Sequence, residues 1–171
     1  MKELHDDKKK LNVVLVEPEI PQNTGNIVRT CAATGSILHL VKPLGFSVSD
    51  RYLKRAGLDY WNEVDIRYYD NFQQLREKYI LDTFYYCTTK ASKNYYEIKY
   101  EPGSFFVFGK ETKGLPEDLL KENYGSCIRI PMIGDIRSLN LANSVSIVLY
   151  EAYRQMDFKG FTKHGHLKGQ V

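Results

Sequence analysis

An α/β domain with a mostly parallel sheet flanked by helices is the fold this sequence predicts. Short, continuously apolar runs such as LNVVLVE at 11–17, ILHLV at 37–41 and SFFVFG at 104–109 read as strands buried on both faces. Segments with helical spacing fall between them, and this alternation builds a parallel sheet. Turns rich in Gly and Asn follow three of the strands: PQNTGN, GKETKGLP and IGDIRSLN. With 171 residues, 43% of them hydrophobic and 26% charged, the chain is long enough for one domain with a full core.

Residues 1–10 (MKELHDDKKK) mix charges of both signs and lack an apolar stretch, so they are expected to be a flexible leader rather than a secretory signal. The single domain should span 11–160, and the polar, basic 161–171 should be a flexible tail. After the first strand, Pro18 and Pro21 break the chain into a loop, and a helix follows over about 25–34, ended by Gly35. The second strand stops at Pro43. Ser49 and Asp50 can cap a helix through Tyr52, Leu53 and Ala56. Residues 65–69 suit an edge strand, and Asn71 can cap a short helix carrying Phe72, Leu75 and Tyr79. Strands are expected at 83–89 and 104–109, with a polar excursion between them. Pro116 opens a helix through Leu119 and Leu120.

The last part of the chain, 128–151, reads IRIPMIGDIRSLNLANSVSIVLYE. Its strand begins at Cys127 and ends near Pro131, which cannot donate to a sheet ladder. Leu141, Val145, Val148 and Ala152 recur on one helical face. Between strand and helix stand Arg137, Ser138 and Asn140. That arrangement suits a small-molecule site at a strand end, and it equally suits a solvated loop followed by a helix cap.

Composition excludes several classes. The cysteines, Cys31, Cys87 and Cys127, are far apart, which argues against a zinc site, a redox pair or a disulfide framework. His5, His164 and His166 lie in the tails, and His39 reads as a packed strand residue rather than a ligand. No metal is expected. No apolar run nears the ~18 residues of a membrane span, so a reducing cytoplasmic location is expected. The net charge of +3 neither requires nor excludes nucleic acid. There is no GxGxxG after the first strand and no Gly-x-Ser-x-Gly elbow. The segment 109–114 has P-loop glycine spacing, but Leu115 and Pro116 stand where Lys and Ser or Thr are needed.

Three stretches in register carry a resemblance: NTGNIVR at 23–29, FGKETKGL at 108–115, and IPM at 130–132 with RSLN at 137–140 and the helix beyond. Together they resemble the motifs of the SpoU branch of SPOUT RNA methyltransferases, over about 11–160. With EPEIPQNTGNIVR, LxxAGLDYW and YEAYRQ, and without an added RNA-binding domain, the chain resembles the single-domain tRNA (cytidine/uridine-34) 2′-O-methyltransferases. The resemblance implies a C-terminal trefoil knot, against the general rule that chains are unknotted. It implies S-adenosyl-L-methionine as methyl donor. It implies as substrate the ribose 2′-hydroxyl of the wobble nucleotide, cytidine or a modified uridine, in a tRNA anticodon loop. A homodimer is implied too, expected through the first and last helices with Tyr150 and Tyr153 taking part; no DNA partner is expected. Alternatives are a 2′-O-methyltransferase for rRNA or another tRNA position, and a knotted RNA-binding protein without catalysis.

Carried onto this chain, the resemblance places the cofactor against Cys87, Gly109, Ile130, Met132, Ser138 and Leu139. It makes Arg29 the key catalytic residue. A guanidinium does not release its proton at accessible pH, so Arg29 is better suited to bind the phosphate beside the target ribose and stabilise the alkoxide. Glu111, Ser138 and Asn140 are candidates to orient the hydroxyl or fix the loops. Which of Ser138 and Asn140 touches the cofactor and which faces the ribose stays open. Arg51, Lys54, Arg55, Lys110 and Lys113 are candidate phosphate contacts, and Tyr60 or Trp61 could stack on a splayed base.

Overall fold

A computed structural model describes residues 10–47 and 60–167. The expected helix at 49–56 and the candidates Arg51, Lys54 and Arg55 lie outside the described residues, as do most of the leader and the last four residues. Seven strands, β1 (Asn12–Val16), β2 (Ile37–Val41), β3 (Ile66–Tyr69), β4 (Phe84–Cys87), β5 (Lys93–Asn94), β6 (Phe105–Phe108) and β7 (Cys127–Arg129), form one sheet. Its order is β3-β2-β1-β6-β4-β7-β5, and every pairing is parallel. The strand order reverses between β1 and β6, and the crevice at such a switch point is where α/β sheets bind ligands. Among the described residues the helices are α1 (Pro21–Thr34), α2 (Phe72–Lys78), α3 (Glu117–Glu122) and α4 (Leu141–Gln155). The α/β, mostly parallel architecture is as expected, with β3 at the edge.

Local chemistry accounts for the boundaries and for the departures from expectation. α1 begins at Pro21, four residues before the expected start. Its ring sits at the first helical position, where a missing N–H costs nothing. Gly35 ends it in the left-handed region, φ 67°. Asn71 caps α2 by accepting from the Gln74 amide at 2.8 Å. β7 stops at Arg129, two residues before Pro131, near which the strand was expected to end. The polar excursion after β4 contains β5 and a single 3-10 turn, Tyr95–Glu97, closed by a reciprocal capping box between Asn94 and Glu97.

Two apolar layers cover the sheet. On one face α1 and α4 pack over Val13, Leu15, Leu38, Leu40, Phe106 and Ile128. Val145, Val148 and Ala152 are buried there, as their spacing predicts, and Leu141 packs against them from a half-buried position. Tyr153 departs from its expected place in a dimer interface. It is buried within the protomer, with its hydroxyl 2.9 Å from that of Ser36, whereas Tyr150 is exposed. Leu75 and Leu120 cover the other face. Among the described residues no helix is long and apolar enough to cross a membrane, and no cluster of metal-ligating side chains occurs.

His39 is fully buried on β2. Asn12 donates from its amide to the Lys10 and Gly103 carbonyls, so its Oδ1 must accept, and His39 Nε2 donates to it at 2.9 Å. Nδ1 is then the acceptor for the Tyr69 hydroxyl at 3.1 Å. Burial first, then the nearby Arg67 and Lys78, lowers its pKa from 6.5 to about 3. The neutral ring therefore stabilises the fold fully above pH 6.5 and progressively less as pH falls toward 3. Between pH 6.5 and 5, above the carboxylates, the wild-type chain should lose stability at a slope approaching ~1.4 kcal/mol per pH unit. His39→Gln should flatten that slope in urea unfolding; equal slopes would disprove the assignment.

Candidate active site

The strand ends around the switch point enclose a cavity of about 580 Å³. Four segments line it, joined by Leu120 of α3: the start of α1, residues 87–90 at the end of β4, residues 108–115 at the end of β6, and residues 130–144 around the last loop. All six residues expected to hold the cofactor line this one cavity: Cys87, Gly109, Ile130, Met132, Ser138 and Leu139. So do Glu111 and Asn140. Arg29 does not. It is exposed on α1, outside the cavity lining, with its guanidinium carbon over the Tyr60 ring, 5.3 Å from the centroid.

The loops are joined by a hydrogen-bond chain with one permitted direction. The Glu111 carboxylate accepts from the Glu19 amide at 2.8 Å, the Ile20 amide at 3.2 Å and Asn23 Nδ2 at 3.0 Å. Because an ionised carboxylate only accepts, the Asn23 amide group must donate to it. Asn23 Oδ1 then accepts from Asn140 Nδ2 at 2.9 Å. Asn140 Oδ1 in turn accepts from the Ala142 and Asn143 amides at 2.9 and 3.3 Å, capping α4. Three loops distant in sequence thus meet through Glu111, Asn23 and Asn140. Of the alternatives left open for Glu111 and Asn140, their visible contacts fix the loops.

A second brace runs the opposite way. Glu19 accepts from the Thr112 amide at 3.1 Å and from its hydroxyl at 2.8 Å. The Thr112 hydroxyl bond is the main reason its carboxyl pKa lies below the usual range, so this brace is present above the ordinary carboxylate pKa and lost on acidification. Glu17, in the left-handed region at φ 52°, pairs with Lys110. Lys110 therefore joins two loops rather than standing free for phosphate. Lys113 and Arg137 line the cavity as exposed cations and, among the described residues, have no ion-pair partner.

Gly109 lets two stretches of backbone come close together. A Cβ there would lie 2.1 Å from the Gly114 carbonyl carbon and 2.2 Å from the Leu115 nitrogen. Gly114 takes the left-handed conformation, φ 68°, that folds this turn back. Burial raises the pKa of all three thiols, Cys31 up to about 12, which keeps them protonated. A backbone contact at Cys87 needs no thiolate.

Sequence reading quoted Asn23 within a motif without giving it a role, and it missed Glu17, Glu19 and Thr112 as braces. Their partners lie 88–93 residues away, beyond any local signal.

A parallel sheet whose switch-point loops wall a ligand-sized cavity is the arrangement of an α/β domain with a small-molecule site. The chain belongs to the SpoU rRNA methylase family, whose profile matches residues 10–150. A Geobacillus stearothermophilus protein, provisionally named tRNA (cytidine(34)-2′-O)-methyltransferase, is 50% identical over 155 residues, covering 89% of this chain and 99% of the relative. The tRNA (cytidine(34)-2′-O)-methyltransferase of Methylovorus glucosotrophus is 47% identical over 150 residues, 87% of this chain and 97% of the relative. A solved structure described as giving insight into the 2-OH methylation of C/U34 on tRNA superimposes with a TM-score of 0.84 at 44% identity, covering 89% and 99% of the two chains.

Proposed function

We propose that this chain transfers a methyl group from S-adenosyl-L-methionine to the ribose 2′-hydroxyl of nucleotide 34, cytidine or a modified uridine, in the tRNA anticodon loop. The observation that carries this reading is the convergence of all six expected cofactor residues on one cavity, in a chain so similar to relatives named for that reaction. The cavity volume falls within the ~300–1,000 Å³ typical of cofactor sites. Phe108, Leu115 and Leu141 offer apolar surface to an adenine, and the loop carbonyls and Ser138 offer polar contacts.

The cofactor supplies a methyl group already activated on a sulfonium, so the protein's task is to place the hydroxyl in line and help it lose a proton. Arg29 holds the phosphate beside the ribose and stabilises the developing alkoxide. Glu111 and Asn140 keep the three loops in the geometry the transfer needs. Arg29 lies outside its own protomer's cavity, which supports a homodimer in which each copy supplies Arg29 toward the other's cofactor.

A trefoil knot is part of the same reading. β7 lies between β4 and β5 in the sheet, while only residues 88–92 connect β4 to β5. That short connection spans the strand that enters last, as a threaded chain requires.

The test is incubation of the protein with labelled S-adenosylmethionine and bulk tRNA, followed by nucleotide mapping. Label in the ribose of position 34 is expected. Label in rRNA or at another tRNA position supports the alternative specificities, and none with folded protein supports a binding protein without catalysis. Arg29→Ala should abolish transfer while cofactor affinity measured by calorimetry stays within about threefold. A collapse of cofactor binding would refute this division of roles.

A further inference from the structure

Arg29 is the residue on which the proposed chemistry turns. Among the described residues it has no carboxylate partner and no hydrogen bond; its contact is the face of Tyr60. An Arg side chain otherwise carries substantial rotamer freedom. Tyr60 itself is fixed. It packs against the core layer beneath α1, and its carbonyl accepts from the Glu63 amide at 3.0 Å in a tight turn. The neighbouring Trp61 also packs on that layer. Support thus runs from the core layer through the 60–63 turn to the Arg29 guanidinium.

We infer that Tyr60 is a positioning residue for methyl transfer: its ring holds the Arg29 guanidinium by one face and leaves its N–H edge free for the RNA phosphate and the reacting ribose oxygen. A ring suits this task better than a carboxylate would. An Asp or Glu at this point would occupy the guanidinium fork and compete with phosphate, whereas a π face attracts the cation without using a donor. The inference rests on the reading that Arg29 acts at the ribose.

The test is steady-state kinetics of the full chain with tRNA and S-adenosylmethionine, comparing wild type with Tyr60→Phe, Tyr60→Leu, Arg29→Ala and the double variant Tyr60→Leu/Arg29→Ala. Tyr60→Phe keeps the ring and should retain turnover. Tyr60→Leu should lower kcat by about two- to thirtyfold, the range a cation–π contact supports, with the KM for S-adenosylmethionine unchanged. The double variant should be no worse than Arg29→Ala alone, because the ring acts through the Arg. Tyr60→Met replaces Tyr60→Leu if the latter unfolds below assay temperature. Wild-type turnover in Tyr60→Leu alongside an inactive Arg29→Ala overturns the inference alone. A loss confined to the KM for tRNA also overturns it, since the ring would then be contacting a base. Full activity in Arg29→Ala overturns both the inference and the reading beneath it.

Discussion

Gly109→Ala should disable the site more severely than any other single methyl group added to the loops. The new carbon would stand 2.1 Å from one backbone atom and 2.2 Å from another, so no side-chain rotation relieves the clash. The turn 109–115 must open, and with it go the placements of Glu111 and Thr112 that brace it to the first loop. Overpacking ordinarily costs about 1–3 kcal/mol. A collision with backbone belongs at the upper end, a loss of about 6–12 °C in melting temperature for a domain of this size. Affinity for S-adenosylmethionine should fall by at least an order of magnitude. Gly114→Ala is the control: open space surrounds its Cβ position, and the cost there is the left-handed backbone, about 1–2 kcal/mol. Calorimetric melting and cofactor titration of the two variants check the ranking. If Gly114→Ala proved the more damaging, the close approach at Gly109 would not be what shapes this turn.

Asn140→Ala should be the other large effect. It removes the cap of a 15-residue helix, worth ~1 kcal/mol. It also strands the Asn23 carbonyl oxygen, on a residue 6% exposed, for a further ~1–3 kcal/mol. Asn140→Asp separates the two contributions. A carboxylate still caps α4, and favourably so at a helix N-terminus. Facing Asn23 it offers an acceptor to an acceptor, and turning the Asn23 amide over would present a carbonyl to Glu111. The Asp variant should therefore recover the share of the melting temperature that belongs to the cap, still lose the ~1–3 kcal/mol of the stranded Asn23 carbonyl, and show turnover reduced at least tenfold. Parallel melting and activity assays decide it; an active Asp variant would show that the link from Asn23 to Asn140 has no part in shaping the site.

What could be read from residue order was whatever depends on near neighbours. The apolar runs of β1, β2 and β6 declare buried parallel strands, Gly35 declares the end of α1, and Asn71 declares a cap. Individually anonymous loops became a predicted pocket because three motifs stood in register, and all six cofactor candidates do share one cavity. Pro21 misled, since a proline before a helix and one inside its first turn look alike until the chain's direction is known. β5 was illegible because two residues, Lys93 and Asn94, pair with β7 through their backbones without any apolar signature. Lys110 carries the charge of a phosphate ligand, but Glu17, 93 residues earlier, already engages it.

The one-way bond chain through Glu111, Asn23 and Asn140 also sets when function can arise during folding. Its two inter-loop links between side chains close 88 and 117 residues of sequence, and β1 takes β6 as a neighbour across a similar span. Such contacts are late and slow, because closing so long a segment costs entropy before anything repays it. A ribosome releasing this chain from its N-terminus would expose β1, β2 and α1 with no partial site between them. The cavity comes into being only with the last third of the sequence, so cofactor binding is a readout of the completed fold and not of any intermediate on the way to it.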